Sequence, residues 1–180
     1  SAGGFHQGIQ LENVIVEKNT SEGSTVDAGA INNGNGSLVL NNCTISGNTA
    51  TTIAGGKFAA SAAGVLFTSY LQPKGTGFQT PLVSLNGTSI TDNKTTSTLA
   101  GGVSAGSGLV IRNGGTVTLA SPLLVTLTDS YLKGNDDLSD KGGGLYADYP
   151  QSQVTLVNTN VARNNESDKY PLNVFMGLSS

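Results

Sequence analysis

The sequence predicts an all-β chain wound as a right-handed parallel β-helix, a solenoid of about five to six coils with surface insertions. Three observations lead there. An 11-residue motif recurs five times without gaps, and its apolar positions alternate with a period of two. The composition, 25 Gly, 20 Thr and 17 Asn against 9 Lys plus Arg and 12 Asp plus Glu, favours short strands and tight turns over long helices.

The motif reads "IQLENVIVEKN" at 9–19, "LVLNNCTISGN" at 38–48, "VSLNGTSITDN" at 83–93, "VTLTDSYLKGN" at 125–135 and "VTLVNTNVARN" at 154–164. Leu11, Leu40, Leu85, Leu127 and Leu156 hold one position, and Asn19, Asn48, Asn93, Asn135 and Asn164 hold the last. Successive closing asparagines are 29, 45, 42 and 29 residues apart. A helix would place apolar residues at i, i+3, i+4 and i+7, whereas these alternate, turn at an Asn or Gly, and alternate again. A unit of about 25–30 residues with three short strands suits one coil of a parallel solenoid. The longer units are then the same coil carrying insertions near 57–81 and 103–122. Right-handedness follows from the general preference of parallel crossover connections.

Stacking follows from the same positions. One coil cannot bury its own apolar row, but coils about 4.8 Å apart build a continuous core. Leu is expected over Leu, with Val16, Ile45, Ile90, Leu132 and Val161 as a second column. The five closing asparagines are expected to form a hydrogen-bonded ladder. Small-residue triplets, "AGGF" (2–5), "AGAI" (28–31), "AGGKF" (54–58), "AGGV" (100–103) and "GGGL" (142–145), are expected at corners that need positive φ or a missing Cβ. Residues 1–180 are expected to be a single β-helix segment of a longer repetitive protein.

Several function classes lose support. A net charge of −3 without a basic cluster gives no electrostatic footprint for nucleic acid. No apolar run approaches the roughly 18 residues of a membrane-spanning helix, so this segment is not expected to insert into a membrane. Glycoside hydrolysis needs two converging carboxylates, yet the solvent-facing positions flanking the five leucines hold only Glu12. The chain is therefore expected not to be an enzyme, and no cofactor is expected. The weak metal candidate is "GNDDLSDKGGG", where Asp136, Asp137 and Asp140 stand at spacings that could serve Ca²⁺, although a solvated acidic turn explains them as well. His6 has no ligand-spaced partner, and Cys43 falls in an inward column that predicts packing. The sequons at Asn35 and Asn165 are the better glycosylation acceptors, because Asn19 and Asn93 are ladder residues. Ice binding would need Thr-x-Thr in register on successive coils, and Thr126/Thr128 has no such neighbour.

Recognition is expected from the insertions, since loops on a rigid scaffold commonly carry it. The first insertion holds Phe58, Phe67, Tyr70 and Phe78, aromatic candidates for contact with a host-cell surface, a glycan or another surface protein. Covering the core is the competing use of the same rings.

The two repeated elements together resemble the alternating GGA[ILV] and FxxN elements of the passenger regions of chlamydial polymorphic membrane proteins and related β-helix autotransporters. "AGAI" at 28–31 stands for the first, and Val16-x-x-Asn19, Ile45-x-x-Asn48, Ile90-x-x-Asn93, Leu132-x-x-Asn135 and Val161-x-x-Asn164 stand for the second, with the Phe replaced each time. The resemblance implies a secreted or surface-displayed rod with an adhesive role. A structural segment of a stalk or filament, self-associating through coil ends, is the alternative from a different class.

Overall fold

The computed structural model describes residues 8–23, 26, 28–34, 36–53, 62–69, 81–97, 106–113, 123–137, 143–148, 152–164 and 174–176. They form nineteen strands and no helix. The first coil contains β1 (Ile9–Glu12), β2 (Ile15–Glu17), β3 (Thr20–Gly23) and β4 (Ile31–Gly34). The second contains β5 (Leu38–Asn41), β6 (Thr44–Ser46), β7 (Thr49–Thr52) and β8 (Val65–Ser69). The third contains β9 (Leu82–Asn86), β10 (Ser89–Thr91), β11 (Lys94–Ser97) and β12 (Leu109–Asn113). The fourth contains β13 (Leu124–Thr128), β14 (Tyr131–Lys133), β15 (Asp136–Asp137) and β16 (Leu145–Asp148). The fifth contributes β17 (Gln153–Val157), β18 (Asn160–Ala162) and β19 (Val174–Met176).

Every strand pairs in parallel with its counterpart one coil away, giving four sheets in the orders β1-β5-β9-β13-β17, β2-β6-β10-β14-β18, β3-β7-β11-β15 and β4-β8-β12-β16-β19. The chain is an all-β parallel solenoid. In the first sheet Leu11, Leu40, Leu85, Leu127 and Leu156 are direct register partners. In the second, Val16, Ile45, Ile90, Leu132 and Val161 are partners. A single buried cluster joins inward side chains of the first, second and fourth sheets. Ala50, inward on the third sheet, packs with Val26 and Ala63 in a smaller one.

Two corrections concern the fourth sheet. Each of the first four coils contains four strands, where the sequence suggested three. The strands missed, β8 and β12, lie inside the segments read as insertions. Their runs "VLF" and "LVI" are apolar at every position because these two strands are buried on both faces, so the alternation that marks a half-exposed strand is lost. Val65, Phe67, Leu109, Ile111 and Leu145 enter the main core, while Leu66, Val110 and Tyr146 form a separate outer cluster with Ala62 and Ala28.

The small-residue element was also placed differently. Ala28 bridges Ala62, and Ile31, Val65, Leu109 and Leu145 are register partners. The aligned corners are therefore 28–31, 62–65, 106–109 and 143–145, so the second and third coils use "AAGV" and "GSGL" where "AGGKF" and "AGGV" were expected. Close approach dictates the glycines here. A Cβ on Gly64 would lie 2.6 Å from the Gly108 carbonyl oxygen, and one on Gly108 would lie 2.3 Å from that of Gly144. Backbone atoms held in a ladder cannot move aside.

Candidate functional site

Two corners of each coil are set by single residues in the left-handed region. Asn13, Asn42, Gly87, Asp129 and Asn158 turn the chain from the first sheet to the second, with φ between 47° and 58°. Lys18, Gly47, Asp92, Gly134 and Arg163 turn it from the second to the third, with φ between 51° and 67°. Asn, Asp and Gly tolerate this conformation best, and Lys18 and Arg163 are held there by the coils beside them. Each second corner delivers the following asparagine to one column.

The amide column is directional. The Nδ2 of Asn19 donates to Oδ1 of Asn48, Asn48 to Asn93, Asn93 to Asn135 and Asn135 to Asn164, each at 2.9 Å. The same oxygens accept the backbone N–H of the preceding asparagine at 3.0–3.2 Å. The second amide proton goes back one coil, from Asn48 to the Val16 carbonyl, Asn93 to Ile45, Asn135 to Ile90 and Asn164 to Leu132. Asn93 thus makes two donated and two accepted bonds, which is all an amide can make. Asn48, Asn93 and Asn135 are fully buried, while Asn19 is exposed. The column carries no titratable proton; its chemistry is to fix the corner and the axial register.

A hydroxyl column runs beside it. Thr88 donates to the Leu40 carbonyl at 3.0 Å and accepts from the Cys43 N–H, and Ser130 and Thr159 continue the pattern. Cys43 occupies the same column, buried, with its thiol on the Asn41 carbonyl.

The other predicted site residues are dispersed. Phe67 is fully buried on β8 in the main core, so it is not a loop aromatic; it packs beneath the coil because its position on β8 points inward beside Ile111 and Asn33. Phe58, Tyr70 and Phe78 lie outside the described residues, as do His6, Asn35, Asn165 and Asp140. Asp136 sits on β15, where its carboxylate meets the Lys94 ammonium at 3.4 Å. Among the described residues no three His, Cys, Asp or Glu side chains converge as a metal site. The structure therefore draws Asp136 toward a cation already present in the chain.

The side that stands out is the outer face of the fourth sheet. Coils one and four reach their next strand through the short connections 35–37 and 149–152, whereas coils two and three use 70–81 and 114–123. The connections entering the fourth strand, 53–64 and 98–108, are also longer than their counterparts 24–30 and 138–144. Other corners keep constant length. On this face Thr68, Arg112 and Asp148 stand in register, and the Tyr146 hydroxyl donates to Asp148 at 3.1 Å. Burial, the Asp148 charge and that hydrogen bond push the Tyr146 pKa up to about 12, against a smaller opposing effect of Arg112. Sequence reasoning missed this row. Its signal was the polar residue that closes each fourth strand, in "LFT", "VIR" and "YAD". Comparison with protein-family models, curated proteins and solved structures returns no match.

Proposed function

We propose that the chain is a segment of a secreted or cell-surface solenoid rod that works as an adhesin-like binding module. One observation carries the proposal. Length variation among the coils falls entirely on the connections that flank the fourth strand, while the first and second motifs keep their spacing through all five coils. A rigid scaffold with variation confined to one side is how recognition loops are commonly held. The resemblance to surface passenger repeats points the same way, toward a host-cell surface, glycan or another surface protein as partner. Replacing 70–81 and 114–123 with the short connection of coil one should abolish adhesion to cells or immobilised glycans while leaving the β-sheet circular dichroism intact. Undiminished adhesion by the shortened protein would sink the proposal.

The second function, a structural segment of a stalk or filament, is supported by the amide ladder that carries one axial register through all five coils.

A further inference from the structure

We infer that the outer face of the second sheet is a docking surface for an acidic glycan, a chain of uronate sugars lying along the solenoid axis across β14, β10 and β6. The inference rests on reading the chain as a binding module, but not on the variable connections. The second sheet stands between the first and the third in every coil, and no variable connection enters or leaves it. Six outward positions on three consecutive coils make a grid. Tyr131, Ser89 and Thr44 are register partners in one column, and Lys133, Thr91 and Ser46 in the other. Coils about 4.8 Å apart, and alternate residues about 6.7 Å apart along each strand, set its spacing. Leu132, Ile90 and Ile45, fully buried between the two columns, hold the grid on the core.

The grid supplies each part of sugar recognition. Among the described aromatic side chains Phe67 and Tyr146 are buried, whereas Tyr131 is 39% exposed. An open ring of this kind takes the C–H face of a pyranose while its hydroxyl stays in water. The side-chain hydroxyls of Thr44, Ser46, Ser89 and Thr91 have no partner among the described residues. Donors and acceptors therefore stand side by side, as the vicinal hydroxyls of a sugar require. Charge selects an acidic sugar. The ion pair among the described residues joins Lys94 to Asp136, which leaves the Lys133 ammonium without a carboxylate there. That ammonium lies 5.9 Å from the Tyr131 ring centroid, at the outer limit of a cation–π contact, so a carboxylate draws it away at little cost. A uronate carries its carboxylate directly on the sugar ring, and a sugar seated on Tyr131 brings that charge within reach of Lys133. Of the acids at the flanking corners, Asp129 is taken by the Asn158 amide at 2.5 Å and Asp92 lies against Gly134. A pyranose is about as long as the coil spacing, so roughly one sugar meets each coil. The face is shallow and the contact millimolar: it adds to adhesion by the loops and does not retain a cell alone.

Amide chemical-shift titrations of the 180-residue chain with trigalacturonate, maltotriose and triglutamate test this. Trigalacturonate should shift the amides of Ser89, Thr91, Tyr131 and Lys133 saturably. Maltotriose should shift the same amides with about two- to fivefold weaker affinity, the worth of one exposed ion pair, and triglutamate should leave them in place. Tyr131→Ala should weaken trigalacturonate at least about fivefold. Lys133→Gln should bring trigalacturonate to the maltotriose affinity and leave maltotriose unchanged. Both side chains point outward, and circular dichroism would verify that both variants fold. Absence of shifts at the four amides, triglutamate matching trigalacturonate, or full affinity in Tyr131→Ala overturns the inference. Shortening 70–81 and 114–123 should leave these shifts intact, which separates their failure from that of the adhesion proposal.

Discussion

Asn93 is the residue whose removal the structure prices most clearly. Truncation to Ala deletes four hydrogen bonds of 2.9–3.1 Å at a site with no solvent exposure. The Asn48 backbone N–H loses its partner, the Ile45 carbonyl loses the amide bond it receives beside its sheet pairing with β10, and the Asn48 side chain keeps its bond to Val16 and the two it accepts from Asn19. Asn135 Oδ1 retains the Asn93 backbone N–H. One buried backbone N–H orphaned at about 1–3 kcal/mol, with the donors and acceptors of two neighbouring amides left short of a partner, gives about 2–4 kcal/mol. That is a large share of the roughly 5–15 kcal/mol that holds a typical domain folded. Asn19→Ala removes one exposed rung, with the Asn19 backbone N–H still on Asn48, and should cost at most about 1 kcal/mol. Equilibrium urea denaturation of both variants measures the contrast. Equal losses at the two positions would refute the buried-ladder account. Asn93→Asp sharpens the test: one carboxylate oxygen can still accept from Asn48, but the other faces the Ile45 carbonyl and Asn135 Oδ1. Burial raises the folded pKa of the new acid, so its destabilisation should be greatest at neutral pH. It should ease as pH falls through that value.

Gly108→Ala drives a Cβ against a ladder carbonyl and should cost about 1–3 kcal/mol, whereas Gly34→Ala meets nothing within 4 Å and should be neutral or slightly stabilising in a thermal melt. Phe67→Ala should cost about 3–5 kcal/mol in denaturant titration, the signature of a core ring, with no loss of adhesion once corrected for folded fraction. Tyr146, with its pKa raised to about 12, holds its proton more tightly folded than unfolded. Its stabilisation is complete below the unfolded value near 10 and is lost as pH rises toward 12. Tyr146→Phe should flatten that part of the alkaline stability profile. Ultraviolet titration of the wild type should show a late-ionising tyrosine that Tyr146→Phe removes.

The first two sheets were legible because each obeys a strict local rule: inward every second residue, a left-handed corner, then inward again. Leu11 to Leu156 and Val16 to Val161 could be aligned by eye since one exposed face forced polar residues between them. Strands β8 and β12 of the fourth sheet offered no alternation, and the small-residue corner is satisfied by any of several Gly and Ala runs. "AGGV" at 100–103 and "GSGL" at 106–109 are chemically interchangeable as letters. Only the coil-to-coil register, which puts Leu109 between Val65 and Leu145, chooses between them. Phe67 was misplaced for the same reason. An aromatic in an apolar run looks like a loop anchor until the strand beneath it is known. The Arg112, Tyr146 and Asp148 row joins residues from two coils, and no single stretch of sequence contains it.

The division between constant and variable sides has a physical origin in the ladders themselves. A length change at the corner between the second and third sheets would break an amide rung on both neighbouring coils, since each asparagine contacts the coil before and the coil after it. The corner between the first and second sheets is similarly tied by the hydroxyl column. Among the described residues the connections leaving the fourth sheet show only the Leu82 N–H on the Ser37 hydroxyl, and chain added there leaves the amide and hydroxyl rungs of the other two corners in place. Loop length enters stability only through closure entropy, which grows slowly: doubling a loop costs roughly 0.6 kcal/mol, less than one orphaned buried amide. Coils two and three could therefore lengthen on that side alone while the axial register ran undisturbed through them. Both proposed roles use that arrangement, one reading the variable side and the other extending the constant axis.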